Sequence, residues 1–282
     1  MFRCYGVLGI TLIIVSYILR ASGSLILITE TFVIGYWLFF DAIDFMISGT
    51  SLIHKIKKKH SLMPILVITG IFIGILFEIF GVMISNLWAY TNFTIFFYVD
   101  GIIFGYGFPI LMYYSAYRVV LHLVRNKFGK FGKKLVSRNE ETLFFSVLSY
   151  VGIACTLVPL LIIPYLDLLD PVPRGMLFGL TLVGIWFLLE SIEYKQHKRS
   201  LIKDVFEGYW NPAVAIVIAA IMTGISWELF NTVDFAWKYQ NLPFNDTTVL
   251  GVPIAVIIGW IPLLIIYLSF YRVISKSKKA VF

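Results

Sequence analysis

Trp227-Glu228-Leu229-Phe230-Asn231, followed by Trp237-Lys238-Tyr239, sets a carboxylate in an apolar run that closes on an aromatic Trp-x-Tyr triplet. Phe77-Glu78-Ile79-Phe80-Gly81, followed by Trp88-Ala89-Tyr90, says nearly the same thing earlier in the chain. An ionised acid inside a bilayer-spanning helix costs about 2.5 to 3.5 kcal/mol on insertion scales, so both glutamates are expected to face protein rather than lipid. The runs around them belong to a chain that is 59% hydrophobic and 14% charged, with a mean hydropathy of +0.87. A soluble domain carries roughly 25% charged residues, and that class is excluded.

Apolar runs of about 20 residues are long enough to cross roughly 30 Å of hydrocarbon. They predict an all-α, polytopic membrane protein with eight spans, at 5–20, 25–48, 63–88, 95–122, 143–165, 175–194, 212–236 and 249–273. The first, Gly6 to Leu19, is as short as the apolar core of a signal peptide, but no small-residue cleavage site leads into a soluble domain, so it is read as a retained anchor. Charge sets the expected orientation. With both termini cytoplasmic in a cell membrane, only Arg20, Arg174 and Lys238 of the 23 basic residues fall outside. The basic loops fit topology and attraction to anionic lipid. No nucleic-acid-binding module accompanies them.

The likeness extends well beyond the two opening stretches. Gly35-Tyr36-Trp37 with Asp41 and Asp44 matches Gly184-Ile185-Trp186 with Glu190 and Glu193. Ser51-Leu52-Ile53 matches Ser200-Leu201-Ile202, and Ser115-Ala116-Tyr117-Arg118-Val119 matches Ser269-Phe270-Tyr271-Arg272-Val273. The offset stays within 149 to 154 residues, so the correspondence is colinear. It predicts a four-helix copy at 1–124, a basic cytoplasmic linker at 125–142 and a second four-helix copy at 143–282. Copies with an even number of spans are parallel repeats about an axis along the membrane normal.

With Gly224 to Asn231, Trp237-Lys238-Tyr239, Leu242-Pro243 and Leu250-Gly251-Val252-Pro253, the second copy resembles a family of duplicated prokaryotic multi-pass membrane proteins. The resemblance covers most of the chain and implies the fold, not an activity. A fainter similarity runs to membrane carotenoid cyclases and hydratases, which combine an intramembrane acid, a Trp-x-Tyr-like end and a Gly-Val-Pro segment. This chain lacks the Pro-Glu-Glu element of the cyclases, and its Glu-to-Tyr spacing is shorter than that of the hydratases.

Glu78 and Glu228, read near the midpoints of their helices, are the leading catalytic candidates; burial favours a neutral acid able to donate a proton. The bland alternative is a structural hydrogen bond between helices. Asn231, one turn after Glu228, shares its face and is placed to bond the carboxyl, while Trp227 offers a π face to a cation. Asp41 with Asp44, and Glu190 with Glu193, share a face at i and i+3; they could hold Mg²⁺ against a lipid diphosphate or sit in the head-group layer. Glu30 and Asp100, without counterparts in the other copy, are candidates for a one-sided cavity. Trp88, Tyr90, Trp237 and Tyr239 are expected as interfacial anchors, and Arg118 and Arg272 as snorkelling cations. The histidines lack ligand spacing, so no metal site is expected from them, and the chain names no cofactor.

Three functions follow from these residues. One is a lipid- or isoprenoid-modifying enzyme that protonates a double bond with a glutamate, acting on a hydrophobic small molecule. The second is a proton- or cation-coupled transporter. The third is a noncatalytic lipid-binding or assembly factor with membrane lipids as its partners.

Overall fold

A computed structural model describes residues 2–23, 27–91, 99–125 and 138–275. The elements are α1 (Phe2–Ala21), α2 (Ile28–Ser48), α3 (Leu52–Lys58) and α4 (Leu62–Phe77), which runs on as a π-helical turn (Glu78–Ile84). After strand β1 (Trp88–Tyr90) come a second π-helical segment (Gly101–Gly107), α5 (Pro109–Val124), α6 (Arg138–Leu161), a 3-10 turn (Ile163–Leu168), α7 (Pro171–His197) and α8 (Leu201–Phe206). The chain ends with α9 (Asn211–Asn231), β2 (Trp237–Tyr239), β3 (Thr248–Val249), β4 (Val252–Pro253) and α10 (Ile254–Ser275). Among the described residues, seven helices are long and apolar enough to cross a membrane: α1, α2, α4 with its π turn, α6, α7, α9 and α10.

Of the expected span at 95–122, residues 95–98 lie outside the described residues; from 99 the chain is helical, π-helical over Gly101–Gly107 and α-helical from Pro109. Pro109 has no N–H to continue a helical ladder, and Phe108 N donates five residues back to Ile103 O, at 3.2 Å. The α-helical remainder, α5, has 16 residues, about 24 Å of rise against roughly 30 Å of hydrocarbon. Every residue from Pro109 to Tyr117 is buried, and α5 packs against α2, α4, α9 and α10.

Small residues bring the outer helices together. A Cβ on Gly9 would lie 2.7 Å from Gly35 O, holding α1 against α2; one on Gly152 would lie 3.0 Å from Gly184 O, holding α6 against α7. The Ser-Leu-Ile tripeptides start the short helices α3 and α8. Ser51 Oγ accepts from His54 N at 3.4 Å and Ser200 Oγ from Lys203 N at 3.2 Å, an N-cap in each case.

β1 and β2 pair antiparallel, Trp88 opposite Tyr239 and Tyr90 opposite Trp237. Bonds from Gln240 N to Leu87 O (2.7 Å) and Thr91 N to Ala236 O (3.0 Å) lengthen the ribbon. Leu250-Gly251, both at positive φ (54° and 77°), turn β3 into β4, so the helix expected from 249 starts at Ile254 and Pro253 lies in the hairpin. Residues 126–137 of the expected linker lie outside the described residues, while 138–142 already belong to α6.

Candidate functional site

Glu228 lies in the last turn of α9, and Glu78 at the junction of α4 with its π turn, rather than at helix midpoints. The expected helix at 212–236 stops at Asn231 because that side chain completes the backbone pairing of a later residue. Asn231 Nδ2 donates to Trp237 O at 3.0 Å, and its Oδ1 accepts from Trp237 N at 3.2 Å. Asn231 therefore fixes the backbone of β2 and does not bond the Glu228 carboxyl, the role its spacing suggested.

The ribbon folds back over the helix ends and turns its aromatic side chains inward. Tyr239 Oη donates to Glu228 Oε1 at 2.7 Å and is itself approached by Trp237 Nε1 at 3.2 Å. Tyr90 Oη donates to Glu78 Oε1 at 2.5 Å and accepts from Trp88 Nε1 at 3.3 Å. The tyrosine hydroxyls are thus committed to buried carboxyls and the indole N–H groups to the tyrosines, a more specific role than the interfacial anchoring expected of the four. Burial, then the adjacent carboxyl, pushes the Tyr90 and Tyr239 hydroxyls above their ordinary pKa, so both keep the proton they donate.

A second donor reaches each acid from another helical segment. Trp260 Nε1 of α10 donates to Glu228 Oε1 at 3.2 Å, and Tyr106 Oη, in the second π segment, to Glu78 Oε1 at 2.6 Å. Both rings lie over a glycine four residues before the acid: a Cβ on Gly224 would overlap the Trp260 indole, and one on Gly74 the Tyr106 ring. Glu78 and Glu228 are only 5% and 2% exposed.

A cavity of about 860 Å³ adjoins this arrangement, lined by Trp227, Trp260, Tyr113, Tyr267, Phe77, Phe178 and other largely apolar side chains. Glu228 is the one acidic or basic residue among the described residues that line it. Glu78 is not part of the wall, although its donors Tyr90 and Tyr106 are, so it reaches the cavity only through their hydroxyls. Thr29 and Gly101 line the cavity; their neighbours Glu30 and Asp100 do not.

The other acid pairs are occupied by the protein itself. Asp41 Oδ1 accepts from Ile53 N and Glu190 Oε2 from Ile202 N, both at 3.0 Å, at the N-termini of α3 and α8. Asp44 pairs with Arg118 at 2.7 Å, and Glu193 pairs with Arg272. The arginines do not snorkel: Asp44 and Glu193 are buried, and each draws its cation inward. Glu190 also accepts from Trp186 Nε1 at 3.2 Å, whereas Asp41, one methylene shorter, leaves Trp37 Nε1 without a hydrogen-bond partner. Among the described residues, no group of three or more His, Cys, Asp or Glu is arranged to hold a metal ion.

Comparison with protein-family models, with curated proteins and with solved structures returns no match. Sequence reasoning missed Tyr106, Trp260 and the two seat glycines. The signal was present: the offset that relates Ser115 to Ser269 also sets Tyr106 opposite Trp260, and the one that relates Glu78 to Glu228 sets Gly74 opposite Gly224.

Proposed function

We propose that the cavity binds an unsaturated, isoprenoid-like lipid and that Glu228 is the general acid that protonates one of its double bonds. The observation that carries this reading is that, among the described residues, a single carboxyl stands in the wall of an otherwise uncharged, aromatic cavity. Tyr239 and Trp260 both donate to Oε1, so a neutral Glu228 carries its own proton on Oε2. Transfer of that proton moves the alkene π pair into a new C–H bond and leaves a carbocation on the adjacent carbon. The two donors then stabilise the carboxylate, and rings such as Trp227 and Tyr113 stabilise the cation through their π faces. Attack by a second double bond closes a ring, and water capture gives an alcohol; either ends with loss of a proton that restores Glu228.

The same reading takes the chain as eight spans in two parallel copies, with both termini cytoplasmic in a cell membrane. Its support is the ribbon register, in which Trp88 meets Tyr239 and Tyr90 meets Trp237 about the central pair Ala89 and Lys238, the pairing a two-fold axis generates. Tyr113 and Tyr267, equivalent by the offset of Ser115 and Ser269, meet with ring centroids 5.1 Å apart, as residues beside such an axis must.

The test compares lipid and pigment extracts of cells lacking the protein, cells carrying it, and cells carrying Glu228→Gln or Glu78→Gln at equal membrane abundance. A mass change of one water, or a cyclised isomer, is expected with the unaltered chain. Glu228→Gln should lower turnover by about 10²- to 10⁴-fold, the usual contribution of a general acid, whereas Glu78→Gln keeps measurable product. Indistinguishable extracts from a host that makes isoprenoids would overturn the proposal, and a Glu228-dependent proton flux in vesicles would put transport in its place.

A further inference from the structure

Two glycines lie bare in the wall that α7 and α10 give this cavity. Gly179 of α7 and Gly259 of α10 both line the cavity, yet among the described residues a Cβ on either would meet no atom within 4 Å. Gly175, one turn earlier on α7, is by contrast covered by the backbone of Asn241. Met176 and Ile258, which also line the cavity, are each 58% exposed. Gly179 follows Pro171 by eight residues, about 12 Å along the helix, which is deeper than a head-group layer of roughly 5 to 7 Å. Gly259 is followed at once by Trp260, the donor to Glu228. With Pro171 taken at the outer edge of the head-group layer, the bare positions come at hydrocarbon depth, one of them next to a partner of the buried acid.

We infer that these bare positions form the gap of a lateral portal through which the hydrocarbon chain of a bilayer lipid slides between α7 and α10 and lays its end against Glu228. Water-soluble substrates are disfavoured by the same features. The lips of the gap are apolar, and among the described residues Glu228 is the only acidic or basic group lining the space behind it, so a polar head finds no charged partner among them and stays in the head-group layer. The substrate class is therefore a long-chain lipid whose terminal segment reacts while the rest remains in the membrane. This inference rests on the cavity being a lipid site, but not on Glu228 chemistry.

The experiment places the full chain in phosphatidylcholine vesicles containing a trace of a fatty acid with a photoactivatable diazirine at its tail end, and maps the labelled peptides after irradiation. Label is expected on cavity residues such as Trp227 and Tyr113, and on lipid-facing positions such as Ile14 and Val147, which are 54% and 50% exposed. Gly179→Phe with Gly259→Phe should bring cavity label to background and leave Ile14 and Val147 labelled; the matching alanine pair should keep both. Met176→Trp narrows the gap from its rim if the phenylalanine pair does not fold. Glu228→Gln should keep the cavity label, so failure of the proposed chemistry and failure of the portal are told apart. A cavity unlabelled in the unaltered chain, or labelled equally after the gap is filled, overturns the inference.

Discussion

At the scale of single residues, Glu228 and Glu78 share their chemistry and differ in their access to the cavity. Tyr239 and Trp260 hold Glu228 from the side while it remains part of the wall; Tyr90 and Tyr106 stand between Glu78 and the same space. Glu228 is thus the reacting acid of the proposal, and Glu78 positions two wall tyrosines. Asn231 acts at one remove, through the backbone of Trp237. Two substitutions separate these roles. Tyr239→Phe removes two hydrogen bonds, one given to Glu228 and one accepted from Trp237, about 1 kcal/mol each; loss of the first is expected to slow conversion about fivefold, and loss of the second to lower the thermal midpoint by a few degrees. Asn231→Ala strips a donor and an acceptor from buried backbone, about 1 to 3 kcal/mol, so stability and conversion should fall together. Thermal unfolding in detergent beside the lipid assay reads both, and an Asn231→Ala protein of unchanged stability would count against a positioning role.

At the scale of elements, the two acid-bearing helices reach the same geometry by different routes. Glu78 precedes Trp88 by ten residues and Glu228 precedes Trp237 by nine. The extra residue falls in the π turn, where Ser85 N reaches back five residues to Phe80 O at 3.0 Å, a wider ring than an α-helix closes. α9 has no such slack, since it is α-helical to Asn231. Deleting Met83, which is 69% exposed, should turn the π turn into α-helix and keep Tyr90 on Glu78, giving a folded protein that still converts lipid. Deleting Leu229 should rotate the end of α9 by about 100°, one residue of a 3.6-residue turn, and remove Asn231 from Trp237. Conversion should then be lost; equal loss from both deletions would argue that the π turn is not the site of the extra residue.

At the scale of the whole molecule, buried charge and exposed apolar surface divide the work. The ion pairs Asp44–Arg118 and Glu193–Arg272 sit inside, while α1 and α6 expose Ile14, Ile18, Val147 and Leu157 outward, as lipid-facing helices do. In the proposed orientation, His60, before α4, lies on the cytoplasmic side, and Phe244, after β2 and 77% exposed, lies outside. Cysteines placed at these two positions in a chain lacking Cys4 and Cys155 should react with an impermeant maleimide from opposite faces of intact cells. Labelling of both from one face would refute the proposed topology.

Much of this was legible in the order of residues, because insertion into lipid is governed by the length and apolarity of local runs. Several apolar spans, read as eight and seen as seven among the described residues, and the burial of Glu78 and Glu228 follow from that local physics. Interruptions in a ladder are less local: the stop of α9 at Asn231 depends on which backbone groups find partners elsewhere. Only the tertiary structure decided that Tyr90 and Tyr239 turn inward, that Arg118 and Arg272 pair with buried acids, and that Glu228 alone of the two glutamates lines the cavity. Those outcomes join residues as far apart in sequence as Glu228 and Trp260 or Asp44 and Arg118, and such contacts depend on how helices pack, which no single stretch encodes.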